Sequence, residues 1–250
     1  MKHIILVVAL CVPLGANANV LRNGLDSLGI YGQVVGTPSR VTAGNAYGSI
    51  TASGGNTTTG VGVAFNGANS EWWFAHLGFD YGVGPALNGG TYTIYSPTGV
   101  KVGSGPSPSN ISGHSLQFNA RFGKGFQVAQ NVIVGPYIGY QCAQFTLWVR
   151  GQSAAYVNNA LGGGVYGAIA PTSRITISGH IGYLGGISTN APGANVLQVG
   201  TKADYRFDSS WSGFVGAYYD RYSASGRMGT ASRDIRVNDV RGIFGLAYHY

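Results

Sequence analysis

The sequence predicts an all-β fold: a closed antiparallel β-barrel that crosses a membrane. Three observations carry that prediction. Charge is scarce, with 9% of the 250 residues being Asp, Glu, Lys or Arg, against about 25% in an ordinary soluble domain. So little charge leaves a water-facing surface poorly solvated. Glycine (42 residues), tyrosine (16) and aromatics as a whole (12%) are abundant instead, which argues against a disordered chain. Apolar residues recur at every second position over short segments, not in long runs. Mean hydropathy is only +0.09, and after the N-terminal stretch no apolar run approaches the roughly 18 residues of a spanning helix.

The N-terminal stretch reads as a signal peptide over residues 1–18. Lys2 is the positive flank, Ile4 to Leu14 the apolar stretch and Ala16-Asn17-Ala18 the small-residue cleavage site. The barrel domain is then 19–250, and the chain is expected to be exported. Cys11 falls in the signal, so the mature chain keeps Cys142 alone and has no internal disulfide. Cys142 lies in a Gly/Tyr-rich strand and reads as a small apolar residue.

Period-2 alternation places ten strands, near 27–36, 57–66, 71–82, 114–123, 131–145, 156–169, 174–187, 196–207, 210–222 and 237–250, with eight or twelve as the alternative counts. The first two are blurred by Gly and Thr. In the fourth, Leu116, Phe118, Ala120 and Phe122 alternate with Ser115, Gln117, Asn119 and Arg121. In the seventh, Ile175, Ile177, Ile181 and Tyr183 share one face, while Arg174, Thr176, Ser178 and His180 share the other. In the eighth, Leu197, Val199, Ala203 and Tyr205 oppose Gln198, Lys202, Asp204 and Arg206. Gly162-Gly163-Gly164 lies inside a strand, where glycine permits close backbone approach and needs no phosphate to explain it.

Connections alternate in length. Residues 66–70, 123–130, 170–173 and 208–209 are short; 37–56, 83–113, 146–155, 188–195 and 223–236 are long. Short periplasmic turns, long extracellular loops and an even strand number match an outer-membrane barrel. Thr91 to Val102 reads as a hairpin standing above the membrane. Phe65, Trp72, Trp73, Phe122, Phe126, Phe207, Trp211, Tyr248 and Tyr250 gather at the short-turn ends as an interfacial girdle. Closure is required because lipid cannot satisfy a strand edge.

Two motifs carry a family resemblance. Phe244, Leu246, Tyr248 and the terminal Tyr250 alternate along the last strand. They resemble the assembly signal of Gram-negative outer-membrane barrels, which implies the barrel-assembly machinery as a partner. Val134-Gly135-Pro136-Tyr137-Ile138-Gly139-Tyr140 resembles the Pro-Tyr-x-Gly stretch of small barrels of the outer-membrane-protein-A and opacity type.

With the apolar face on lipid, the other face lines the lumen. It would carry His76, Asp80, Arg121, Arg174, His180, Lys202, Asp204, Arg206, Asp220, Asp239, Arg241 and His249 as a paired network or a narrow conduction path. In that network Lys202, Asp204 and Arg206 are expected to face Asp220. No metal-ligand spacing links His76, His114, His180 and His249, and no cofactor is expected.

The net charge of +7 is scattered and does not form a nucleic-acid patch. Arg221, Arg227, Arg233 and Arg236 near the last long loop are candidates for lipopolysaccharide phosphates. The expected function is surface interaction, adhesion or envelope integrity through extracellular loops, with a host or surface ligand as further partner. A narrow porin-like channel is the alternative. A rim-active hydrolase is the third reading, resting on Asp80, Asp220 and His114. Omptin-type proteases need Asp/Asp and Asp/His pairs at the rim, whereas His76 and Asp80 sit about 13 Å apart along a strand at roughly 3.3 Å per residue. His114-Ser115 resembles the His/Ser of lipid A deacylases and outer-membrane phospholipases, but neighbours on a strand point to opposite faces. The chain is therefore read as non-enzymatic.

Overall fold

A computed structural model describes residues 21, 25–55, 57–86, 88–106, 111–149, 152–187, 194–228 and 231–250. The expected signal segment 1–18 lies outside these. Ten strands form the barrel: β1 (Ser27–Gly36), β4 (Thr57–Ala68), β5 (Trp73–Ala86), β8 (Ile111–Lys124), β10 (Val132–Val149), β11 (Gln152–Ile169), β12 (Ile175–Gly186), β13 (Asn195–Arg206), β14 (Trp211–Met228) and β15 (Ala231–Tyr248). Each pairs antiparallel with the next, and β1 closes on β15 from Leu28 opposite Tyr248 to Gly36 opposite Val240. A closed ring leaves no strand edge in lipid.

The alternation expected from sequence is the alternation of the wall. On β15, Tyr248, Leu246, Phe244 and Val240 are exposed outward, while Ala247, Ile243, Arg241 and Asp239 are buried inward. Val240 and Tyr250 are ten residues apart. Steps of about 3.3 Å at a tilt near 40° make this span about 25 Å, the height of an outer-membrane apolar band. Aromatic pairs mark its periplasmic edge: Phe65 stacks on Tyr250 at 5.9 Å, Trp73 on Phe122 at 5.4 Å, and Trp211 meets Tyr248 edge-on at 5.4 Å. Trp72 departs from the expected girdle. Its backbone turns at φ 65°, and it packs inward with Leu21 and Leu25. Gly162 and Gly164 serve the close approach read from sequence. A Cβ at either would sit 2.2 and 2.1 Å from the carbonyl oxygens of Tyr183 and Ile181.

The periplasmic turns are tight. In the β13–β14 turn, Asp208 accepts backbone N–H bonds from Ser210 (2.7 Å) and Trp211 (2.9 Å), which hold its pKa below the usual carboxylate range. After β8, the short strand β9 (Phe126–Ala129) folds onto the start of β10.

The extracellular side differs from expectation. Residues read as long loops are largely strand. The 223–236 stretch continues β14 and β15 in unbroken register up to Met228 opposite Ala231. The 146–155 stretch likewise extends β10 and β11. The 37–56 connection is a hairpin of β2 (Ser39–Asn45) and β3 (Gly48–Gly55), and the 83–113 stretch holds β6 (Asn88–Tyr95) and β7 (Lys101–Pro106), which is the hairpin expected at 91–102. These four strands form a sheet beyond the barrel, joined through β2 to the outer part of β15. Above the membrane no lipid selects an apolar face, so the two-residue period fades while the backbone ladder continues.

Candidate functional site

The polar face of the strands converges inside the barrel on Arg241. Its Nη1 donates to Asp80 at 2.9 Å; its Nη2 donates to Gln117 Oε1 and reaches Asp220 and Asp239 at 3.4 Å each. The Nε2 amides of Gln117 and Gln141 each donate to Asp220 at 3.1 Å and to the Tyr222 hydroxyl at 3.0 Å. Tyr31 donates to the second oxygen of Asp80 at 2.6 Å. Every carboxylate, the guanidinium and both glutamines are buried. Three carboxylates around one guanidinium leave excess negative charge, which these amide and phenol donors help to offset.

The height of this cluster follows from its neighbours in the chain. Asp220, Arg241 and Asp80 adjoin Tyr219, Val240 and Tyr81, which face outward where the apolar band ends. The cluster therefore crosses the lumen level with the outer membrane boundary. Above it Ala143, Ala160, Leu184, Val196, Tyr222 and Ala224 form an apolar layer, joined by Ala194 from the β12–β13 connection.

Below the cluster the lumen holds a cavity of about 90 Å³, bordered by Arg121, His76, His180, Lys202 and Asp204 among others. Lys202 pairs with Asp204 at 3.0 Å, and His76 Nδ1 lies 2.8 Å from Asn66 Oδ1. An apolar cluster lies at the periplasmic end. Leu21 and Leu25 are buried there against Ile133, Ala168 and Ala170. His249 ties this cluster to the wall. Its Nδ1 donates to the Asp26 carbonyl at 2.9 Å, and its Nε2 lies 2.8 Å from the Ser212 hydroxyl.

Of the expected lumen residues, His76, Asp80, Arg121, His180, Lys202, Asp204, Asp220, Asp239, Arg241 and His249 are placed on the inner face. Two expectations are corrected. Arg174 is exposed in the periplasmic turn before β12, because the strand begins only at Ile175. Lys202 and Asp204 pair with each other, not with Asp220, which stands opposite Gln198 in the β13–β14 register and belongs to the Arg241 cluster. Arg206 ends β13, where its backbone N–H donates to the Arg174 carbonyl at 2.8 Å.

His114 lies on the outward face of β8, its ring 6.2 Å from that of Tyr81, across the wall from Ser115 and from Asp80. Arg221 and Arg236 are exposed outward just above the apolar band, with Arg236 3.3 Å from Asp234. The side chains of Arg227 and Arg233 lie outside the described residues. Reading the sequence missed Tyr31, Gln117, Gln141 and Tyr222 as partners of the cluster. The two glutamines carried a signal, being on the polar face; the tyrosines read only as aromatics. It also missed Arg40, which sits in a segment read as loop.

The sequence matches no protein-family model and no curated protein. Among solved structures, the fold is similar to the outer membrane protease OmpT from Escherichia coli. The TM-score is 0.61 at 10% identity, over 90% of this chain and 97% of that one. Weaker similarities include the translocator domain of the autotransporter NalP from Neisseria meningitidis (TM-score 0.45, 13% identity, 93% of each chain). Another is the attachment invasion locus protein Ail of Yersinia pestis (TM-score 0.36, 10% identity, 90% and 99%). The chain has the fold of a ten-stranded Gram-negative outer-membrane β-barrel.

Proposed function

We propose that this barrel neither conducts nor catalyses, and works through its extracellular β-sheet in surface interaction. The observation that carries the reading is the filled lumen. An apolar layer and the Arg241 cluster occupy the outer half, and Leu21 and Leu25 pack into the periplasmic end. A lumen filled with paired and packed side chains does not favour solute passage, whereas β2, β3, β6 and β7 carry the wall beyond the membrane and present an outer face for contact. The hydrolase alternative gains little support. Asp80 and Asp220 are engaged by Arg241 below an apolar layer, and His114 points to the other side of the wall. The alternating Phe244, Leu246, Tyr248 and Tyr250 serve as the signal for the barrel-assembly machinery.

The experiment is single-channel recording of the refolded chain in a planar bilayer. A folded, heat-modifiable protein that stays silent supports the reading. Steady, ion-selective openings would overturn it and promote the channel, with Lys202, Asp204 and Arg241 the residues to mutate.

A further inference from the structure

The β15 strand pairs with β14 over its whole length without a register shift. Its even-numbered residues therefore stay on the lipid side from end to end. Phe244 and Val240 face the apolar band, Asn238 lies at its border, and Arg236, Asp234 and Ser232 follow above it on the same face. Register carries that face across the whole extracellular sheet. One row runs Asp234, Thr42, Thr51, Thr93 and Ser104; the next runs Arg236, Arg40, Ser53 and Thr91. At about 4.8 Å per strand the first row extends roughly 19 Å. Its hydroxyls are aligned, with Thr42 and Thr51 oxygens 3.0 Å apart, and those of Ser53 and Thr91 in the next row 3.4 Å apart. The opposite face carries Ile50, Ile94, Ala43, Ala52, Tyr92 and Ile235 at the intervening positions. The serine and threonine hydroxyls of these rows are therefore concentrated on the face above the lipid.

The arginines on this face are placed against their own repulsion. Arg40 stands directly opposite Arg236, a cross-strand like-charge pair that is destabilising by itself. Arg221 is diagonal to Arg236, since its partner on β15 is Asn238. Asp234 offsets one of these charges through an exposed pair. A groove of about 660 Å³ runs along Arg221, Ser223, Ser232, Asp234 and Arg236. A phosphate between the guanidiniums would replace repulsion with charge-assisted, bidentate hydrogen bonds.

We propose that this face binds the phosphorylated core saccharide of the lipopolysaccharide surrounding the barrel. The arginines next to the apolar band take the phosphates, and the hydroxyl rows beyond them take the sugars. The occupant follows from position: the face continues the lipid-facing wall at the height where acyl chains give way to headgroup sugars. The inference rests on the reading that the sheet is the working surface.

The test measures binding of three purified lipids to the refolded chain in detergent: full-length lipopolysaccharide, a deep-rough form lacking most core sugars, and the dephosphorylated deep-rough form. Full-length lipid should bind about tenfold more tightly than deep-rough, and the dephosphorylated form weakest. Thr51→Val with Thr93→Val keeps side-chain shape and strand preference. It should erase the advantage of the full-length lipid and leave deep-rough binding unchanged. Arg40→Gln with Arg236→Gln should weaken both by about tenfold. Equal affinity for full-length and deep-rough lipid, or a threonine pair without effect, overturns the proposal. If the arginine variant does not refold, the threonine variant and the lipid series still decide. Conductance of the same chain is read separately, so failure here is distinct from failure of the filled-barrel reading.

Discussion

Replacing Arg241 with Met removes the single cation among three buried carboxylates. In the native barrel Arg241 meets Asp80 at 2.9 Å and Asp220 and Asp239 at 3.4 Å. Methionine fills much of the volume, so the loss is electrostatic and not a cavity. Breaking a buried ion pair by deleting one partner costs about 3–5 kcal/mol, because the remaining charge stays buried without compensation. Here three charges lose one partner, so the upper end of that range is expected near neutral pH. The measurement is urea unfolding of refolded wild type and variant in lipid vesicles at neutral pH, followed by tryptophan fluorescence. Adding Asp80→Asn, Asp220→Asn and Asp239→Asn to Arg241→Met should recover most of the loss, since replacing an entire buried ionic set is often close to neutral. A deficit below about 1 kcal/mol, the scale of an exposed pair, would refute the reasoning. So would a quadruple variant no more stable than Arg241→Met alone.

Ile181 is exposed on the lipid face of β12. Ile181→Arg should cost about 2–4 kcal/mol at the bilayer midplane, whereas Ile187→Arg, three outward positions further along and beyond the apolar band, should cost about 1 kcal/mol or less; equal costs in vesicle unfolding would sink the membrane placement. Deleting Tyr250 removes its stack on Phe65 and its hydroxyl bond to the Asn66 carbonyl at 2.8 Å. Cells making that variant should accumulate unfolded protein lacking heat-modifiable migration. Asp208 has its pKa lowered by the Ser210 and Trp211 amides. Its stabilisation is therefore present above the ordinary carboxylate value of about 3.9 and lost as the pH falls through the lowered value. The unfolding-midpoint difference between wild type and Asp208→Ala should be clear at pH 7 and shrink as the pH falls below about 4; a difference unchanged over that range would show that the carboxylate's charge plays no part.

What the sequence disclosed and what it hid divide at the membrane surface, for one physical reason. Inside the bilayer two solvents act on the chain at once. Lipid selects the odd positions of β13 and the packed lumen selects the even ones, so Leu197 through Arg206 alternate cleanly and the strand can be read residue by residue. Above the bilayer the selection disappears. Ser223 to Met228 continues β14 in register, yet Gly, Ser and Arg there keep no two-residue period and read as loop. The backbone ladder holds such segments together, and ladders leave no trace in side-chain chemistry. The same reason explains the site. Strand period puts Asp80, Asp220, Asp239 and Arg241 on the lumen face, but which of them meet depends on the stagger between strands, which no single segment records. Lys202 could therefore be placed inside and still be assigned to Asp220 when it pairs with Asp204 on its own strand. Arg40 lies further beyond reach, because it becomes the neighbour of Arg236 only once β2 docks on the outer part of β15. The extracellular arginines, unreadable as a group from the sequence, are thus the ones whose placement most needs a partner outside the chain.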